Sequence, residues 1–261
     1  MLVFPQLVTG ASALYPVIKR SMGRTVVNEL ADGRADVFAD PDAAAVSREM
    51  MAAGLTRAEW NAVDALFQAV SGRWGTFTFL DPTANLLAWS EEFGATAWTN
   101  GALMQLTSGI GDPFGTARAT RVVNAGQAAE SVAQTLDVPG NFQYCLSVWA
   151  RTAGGSSVML TIGSVAKTFA LGAQWQRLSM TGGEGTNATM VTFGAQLDAG
   201  GSVDLFGMQV EAQLGASDYK RTGARGGAHP KARFGDDRIT VTAQGTDVFD
   251  AVIRIVNTEP R

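Results

Sequence analysis

The chain reads as a mainly β protein in two parts: a discontinuous β-rich base domain with one amphipathic helix, and an antiparallel β-sandwich of the jelly-roll kind inserted into it. Three observations predict this. Thirty glycines are scattered without a period through 261 residues, which calls for many turns. One stretch alone repeats apolar residues convincingly at helical spacing. After Asp81-Pro82 the text changes to short alternating pieces separated by Gly, Ser, Thr and Asn, the pattern of a sandwich of two sheets.

The opening "MLVFPQLVTGASALYP" mimics a leader with a small-residue cleavage site, but it lacks basic residues and Pro5-Gln6 breaks its apolar run, so it reads as mature structure. From Leu14 to Leu55 the pieces "LYPVIKR", "RTVVNEL", "ADVFAD" and "AVSREMMAA" read as strands. The "ADGR" turn places Asp-Gly between two of them and predicts a hairpin over 25–38. In "LTRAEWNAVDALFQAVSGRWG", Thr56 can cap a helix with Glu59 reaching back. Trp60, Val63, Leu66, Phe67 and Val70 then form its apolar face, and Ser71-Gly72 ends it. "GTFTFLDP" resumes alternation, with Phe77 and Phe79 on one side, until Pro82 stops the strand.

The clearest strands beyond are "QYCLSVWAR", "SVMLTIG", "QWQRLSMT", "MVTFGAQL" and "SVDLFGMQVEA". "RTGARGGAHPKARFG" reads as an exposed linker, and "DDRITVTAQGTDVFDAVIRIVN" as two strands around a turn. Two strands alone are marginal in water, so this last pair needs a sheet, and the N-terminal strands supply one. The predicted organisation is therefore a base domain of 1–84 and 226–261 interrupted by a module over 85–225.

Bulk chemistry removes several function classes. The net charge is −4 with no cationic runs, which argues against nucleic-acid binding. No run reaches the roughly 18 apolar residues of a membrane-spanning helix, so a soluble protein or assembly is expected. Cys145 and His229 are the sole cysteine and histidine, which excludes the usual zinc sites. His229 falls in the linker and reads as a solvated loop residue, so no catalytic triad is expected. "GIGDPFG", Gly109 to Gly115, has the wrong spacing for a phosphate loop and reads as a turn. Glu91, Glu92, Asp204 and Glu211 could in principle form a carboxylate pair, yet sequence brings no two together. Glu91 or Glu92 is at most a ligand for a structural calcium, and no cofactor is expected. No catalytic residue is assigned.

The base-domain order of hairpin strands, capped helix, aromatic strand "TFTFLDP" and final hairpin resembles the minor tail proteins of long-tailed phages, and more distantly distal tail proteins. That resemblance implies a structural subunit of a tail-tip ring in a virion, assembled in the host cytoplasm, whose partners are its own copies and the tail tube, hub and tape-measure proteins. The middle of the chain, with "NLLAWSEEF", "GTARATRVV", "YCLSVWAR", "QWQRLSM" and "VDLFGMQVEAQLGASDYKRTG" in order, resembles the carbohydrate-binding-like jelly-roll modules of phage tail and spike proteins. Those modules usually carry Trp at the position of Phe206 and Pro-Thr at the positions of Lys220 and Arg221. The resemblance implies attachment to a cell-surface glycan. Two other readings stay open: the module braces neighbouring subunits, or the chain is a stand-alone carbohydrate-binding protein.

A sugar site needs an aromatic face for the pyranose ring and planar polar groups for its hydroxyls. In "FQYCLSVWAR", alternation sends Phe142, Tyr144, Leu146 and Val148 to one face, expected to be core. Gln143, Cys145, Ser147, Trp149 and Arg151 go to the other. If that face is open, Trp149 and Arg151 are the ligand candidates, with Gln209 and Glu211 of "GMQVEA" beside them. The alternative packs Trp149 under a loop or against the base domain. Trp89, Trp98 and Trp175 are assigned to the core or to the junction between domains.

Overall fold

The computed structural model describes residues 1–258, apart from the side chains of 41–43. In chain order the strands are β1 (Val17–Glu29), β2 (Ala35–Thr56), β3 (Phe77–Leu80), β4 (Thr99–Asn100), β5 (Met104–Ile110) and β6 (Ala119–Asn124). They continue with β7 (Glu130–Leu136), β8 (Tyr144–Arg151), β9 (Ser157–Ile162), β10 (Val165–Ala170) and β11 (Gln176–Gly182). The last are β12 (Val191–Leu197), β13 (Ser202–Glu211), β14 (Ala228–Phe234), β15 (Thr240–Gly245) and β16 (Val248–Thr258), and the helix α1 (Arg57–Ala69) lies between β2 and β3. The fold is mainly β.

The chain forms two compact units, one of residues 1–7, 13–79 and 229 onward, the other of 8–12 and 80–228. The first is one six-stranded sheet in the order β1-β2-β16-β14-β3, with β15 also paired to β16. The four N-terminal pieces read from the sequence are in fact two long strands. "LYPVIKR" and "RTVVNEL" join through an irregularity between Met22 and Arg24, and "ADVFAD" continues into "AVSREMMAA" as β2. Pairing of Thr25 with Ala39 and Val26 with Phe38 forms the predicted hairpin. Its turn is closed by Leu30 N–H donating to the Arg34 carbonyl at 2.7 Å and by Gly33, whose φ is 82°.

Thr56 caps α1 through a complete capping box with Glu59. Val63, Leu66 and Val70 are buried beside Phe4, Phe77, Phe79, Phe234, Ile253 and Ile255, and Trp60 and Phe67 pack against this core. The helix stops where Ser71 and Gly72 take positive φ values of 54° and 64°. Phe4 is carried there by a short parallel bridge between Val3 and Thr78.

The expected linker is a strand over much of its length. "AHPKARF" is β14, which pairs with β16 from Arg233↔Val256 to Phe234↔Ile255 and buries Ala232 and Phe234. His229 is therefore no solvated loop residue: its Nε2 lies 3.0 Å from Nη2 of the fully buried Arg48. Pro230 and three basic side chains hid the alternation of this strand.

The second unit is a sandwich of two five-stranded sheets, ordered β10-β9-β12-β7-β4 and β11-β8-β13-β6-β5. Neighbouring strands in both sheets run antiparallel. The five strands singled out in the sequence become β8, β9, β11, β12 and β13. Between the sheets lie Tyr144, Leu146 and Val148 of β8, Leu160 and Ile162 of β9, Phe193 and Ala195 of β12, and Leu205, Met208 and Val210 of β13. Residues 8–12, expected in the base domain, belong to this unit, where Ser12 Oγ donates to the Ala212 carbonyl at 2.7 Å.

Candidate functional site

The outer face of the β11-β8-β13-β6-β5 sheet gathers the candidate residues. Period two along β8 turns Tyr144, Leu146, Val148 and Ala150 into the core, so Cys145, Ser147, Trp149 and Arg151 face outward. Cross-strand register then sets their neighbours. Trp149 pairs with Arg177 on β11 and Phe206 on β13, and Arg151 pairs with Asp204. Beyond Asp204 lies Arg121 of β6.

β13 keeps its core side only because of a bulge. Val203 and Leu205 point inward before it and Met208 and Val210 after it, so one residue is extra. Gly207 absorbs it with φ of 63°, and a Cβ there would lie 2.9 Å from the Tyr219 ring. Phe206 and Gln209 are thereby both sent to the outer side.

Trp149 is half-buried, with the ring of Phe114 edge-on at 5.9 Å. Phe114 is 57% exposed, on a loop that Asp112 holds together by accepting from the backbone N–H of Phe114, Thr116 and Arg118. "GIGDPFG" is thus a turn, as read. Burial would raise the Asp112 carboxyl, but its bonds from Thr116, Phe114 and Arg118 outweigh that and hold it below the usual carboxylate range. Arg177 donates to Ser147 Oγ at 3.2 Å, and no acid pairs with it among the described residues.

Arg151 donates to Asp204 Oδ2 at 3.0 Å, and Arg121 to Oδ1 at 2.8 Å. The Arg151 guanidinium also lies 4.7 Å from the ring centroid of Trp175. Trp175, assigned by sequence to the core or the junction, instead sits half-buried just ahead of β11, in step with Arg177. The indole Nε1 atoms of both Trp149 and Trp175 are buried without an acceptor among the described residues. Leaving such a donor unpaired costs about 1–3 kcal/mol. Trp98 is core as expected and donates to the Trp89 carbonyl at 3.0 Å, with Trp89 packed against the same core.

Gln209 and Glu211 do not stand in an open groove. Both are buried, because the chain after β13 folds back across this part of the face. Gln209 Oε1 accepts from Lys220 N–H at 2.7 Å and its Nε2 donates to Glu211 at 2.8 Å. Glu211 accepts from Lys220 Nζ at 2.6 Å and from Ser217 Oγ at 2.5 Å. Burial pushes the Glu211 carboxyl up, but these bonds pull harder and hold it below its ordinary value.

Glu91 is spent in the same way. It is buried between Arg118 at 2.9 Å and Arg221 at 3.0 Å, and accepts from the Tyr219 hydroxyl at 3.0 Å. Two guanidinium groups already neutralise it. Phe206, where the resembling modules carry Trp, is fully buried with Phe114 and Tyr219 at 5.7 and 5.4 Å and Arg118 over its ring at 5.4 Å. Lys220 and Arg221, at the other two departures, supply cations to Glu211 and Glu91. Glu91, Asp204 and Glu211 are each buried and paired with cations. What the face offers a ligand is flat aromatic surface and one unmatched guanidinium.

No protein-family model matches this chain, and no curated protein does. Solved structures of similar outline exist. The enzymatically active domain of bacteriophage CBA120 tailspike protein 4 matches with TM-score 0.39 and 13% identity over 51% of this chain and 22% of that one. The xylan-binding CBM22-1 domain of Paenibacillus barcinonensis Xyn10C matches with TM-score 0.40 and 15% identity over 51% of this chain and 96% of that one. The C-terminal family 22 carbohydrate-binding module of Clostridium thermocellum Xyn10B matches with TM-score 0.40 and 15% identity over 52% and 99%.

Sequence reasoning missed Arg177, Trp175 and Phe114. The first two were within reach, since in "QWQRLSM" Leu178 and Met180 are buried and Trp175 and Arg177 have the opposite parity. Phe114 carried no periodic signal, because it is placed by the hydrogen bonds of a single aspartate.

Proposed function

We propose that this protein is a non-enzymatic structural subunit of a phage or phage-like tail tip. In this reading the first unit assembles into a homo-oligomeric ring among other tail proteins, and the second binds a cell-surface glycan. The observation that carries the glycan half is the outer face around Trp149. It combines an indole, the exposed Phe114 ring, the Arg151–Trp175 stack and an Arg177 unmatched by acid. Aromatic faces stack on the apolar side of a pyranose, and guanidinium groups donate to its hydroxyls.

The ring half draws on the order of elements in the first unit and on its long hairpin. Several copies would make individually weak sugar contacts effective through avidity. A glycan array probed with the oligomeric protein tests the reading. Binding to a defined glycan class, lost at least tenfold in Trp149→Ala with an unchanged far-ultraviolet spectrum, is the expected result. Absence of binding by the oligomer overturns the glycan half and leaves the structural half to electron microscopy of assembled tails.

A further inference from the structure

We propose that the hairpin arm of one copy docks head to tail into a cationic, tryptophan-lined cavity of the next copy, an inference that rests on the ring reading above. Two separate features of the first unit fit each other. The first is a two-stranded ribbon. Among the described residues β16 pairs with β2 as far as Thr258↔Ala45, and β2 from 35 to 44 has β1 as its neighbour. Ten residues of strand reach on the order of 30 Å.

A two-stranded ribbon is marginal in water by itself. This one nevertheless exposes Val27 at 54%, Val37 at 64% and Phe38 at 55%. Its described acids are Glu29, Asp32, Asp36 and Asp40 against Arg24 and Arg34. Arg24 pairs with Asp40 and Arg34 with Asp32, which leaves Glu29 and Asp36 without a cation among the described residues. The arm is apolar, and acidic in net charge.

The second feature is a cavity of about 620 Å³ lined by Arg73, Trp74, Lys231, Arg233, Val256 and Thr258 among others. Trp74 is 81% exposed, the most exposed large apolar side chain among the described residues. Arg233 donates to the Trp74 carbonyl, which fixes the rim, and the one acid of the lining, Asp237, accepts from Arg73 N–H at 2.9 Å. No acid forms an ion pair with Arg73, Lys231 or Arg233 among the described residues. The cavity therefore offers what the arm lacks: a cation for Asp36 and an indole for Phe38, which alternation places on the same face of β2. Trp and Arg are also the residue types that anchor protein interfaces.

The geometry makes the contact intermolecular. Val256 and Thr258 pair with Ser47 and Ala45, so the cavity lies at the end of the sheet from which the arm departs. A tip carried some 30 Å from that root reaches the root of another copy. Such a contact joins different surfaces of the two copies, and repetition closes a ring or grows a filament.

Sedimentation of the full chain tests this. Wild type is expected to be oligomeric. Phe38→Asp on the arm and Trp74→Ala at the cavity are each expected to weaken association at least tenfold while the melting temperature of the second unit stays put. Mixing the two variants gives the deciding result. One retains a working cavity and the other a working arm, so a dimer forms and growth stops at two. Asp36→Lys and Lys231→Glu, both exposed, provide the same comparison without touching a packed side chain. If wild type oligomerises and none of these variants weakens it, the arm-to-cavity contact is wrong and the ring reading stands. If wild type stays monomeric at high micromolar concentration, both fail.

Discussion

Asn85 shows how one buried polar side chain can hold a module shut. Its Nδ2 donates to the Met208 carbonyl at 2.9 Å, and its Oδ1 accepts from Leu87 and Val210 N–H at 3.1 and 3.0 Å. Asn85→Ala leaves these backbone groups unpaired in a dry interior and is expected to destabilise the second unit by about 2–4 kcal/mol, read from urea unfolding. Gly207→Ala adds a Cβ against the Tyr219 ring at a positive φ and is expected to cost about 1–3 kcal/mol by the same measurement. Glu211 makes this unit sensitive to acid. Its folded value is lowered, so its contribution is complete above the ordinary 4.5 and is lost as pH falls through the lowered value. The melting temperature of wild type should therefore drop between pH 5 and pH 3 more steeply than that of Glu211→Gln. The positions where this chain departs from the modules it resembles acquire a meaning at the same scale: Lys220 and Arg221 neutralise Glu211 and Glu91 beneath the returning segment.

At the scale of elements, what could be read from the text depended on whether one strand or helix carried its own period. The helix did: its cap, apolar face and stop are all local, and Thr56→Ala is expected to destabilise the first unit by about 1 kcal/mol in thermal melts. β8, β9, β12 and β13 did too, because one face of each lies against a core and the other does not. β14 did not, since Pro230 and its basic side chains read as a linker until β16 and β3 are seen on either side of it. The two long strands β1 and β2 looked like four, because a bulge interrupts the alternation where the register shifts between Met22 and Arg24. The candidate site was half legible for the same reason. Parity along β8 exposed Trp149 and Arg151, whereas the burial of Gln209 and Glu211 depends on a segment after β13 folding back over them.

For the whole molecule, the departure and return of the chain are the central feature. β3 and β14 are neighbours in the first sheet, and just beyond them Asp81 N–H donates to the Gly227 carbonyl at 2.9 Å. Removing residues 80–228 and joining 79 to 229 through a short glycine linker should thus leave a folded first unit, checked by a cooperative thermal transition and retained oligomerisation. Each unit has its own core, so calorimetry of the intact chain should resolve two transitions. The sequence by itself determined what period and capping can encode: a β-rich chain, one capped helix, a change of character at Asp81-Pro82, and the inward and outward faces of the best strands. Only the tertiary structure decided which outward residues remain available. Burial of a polar side chain depends on what distant segments lay over it, and neither the loop of Asp112 nor the return of 217–222 across β13 follows from the strand they cover.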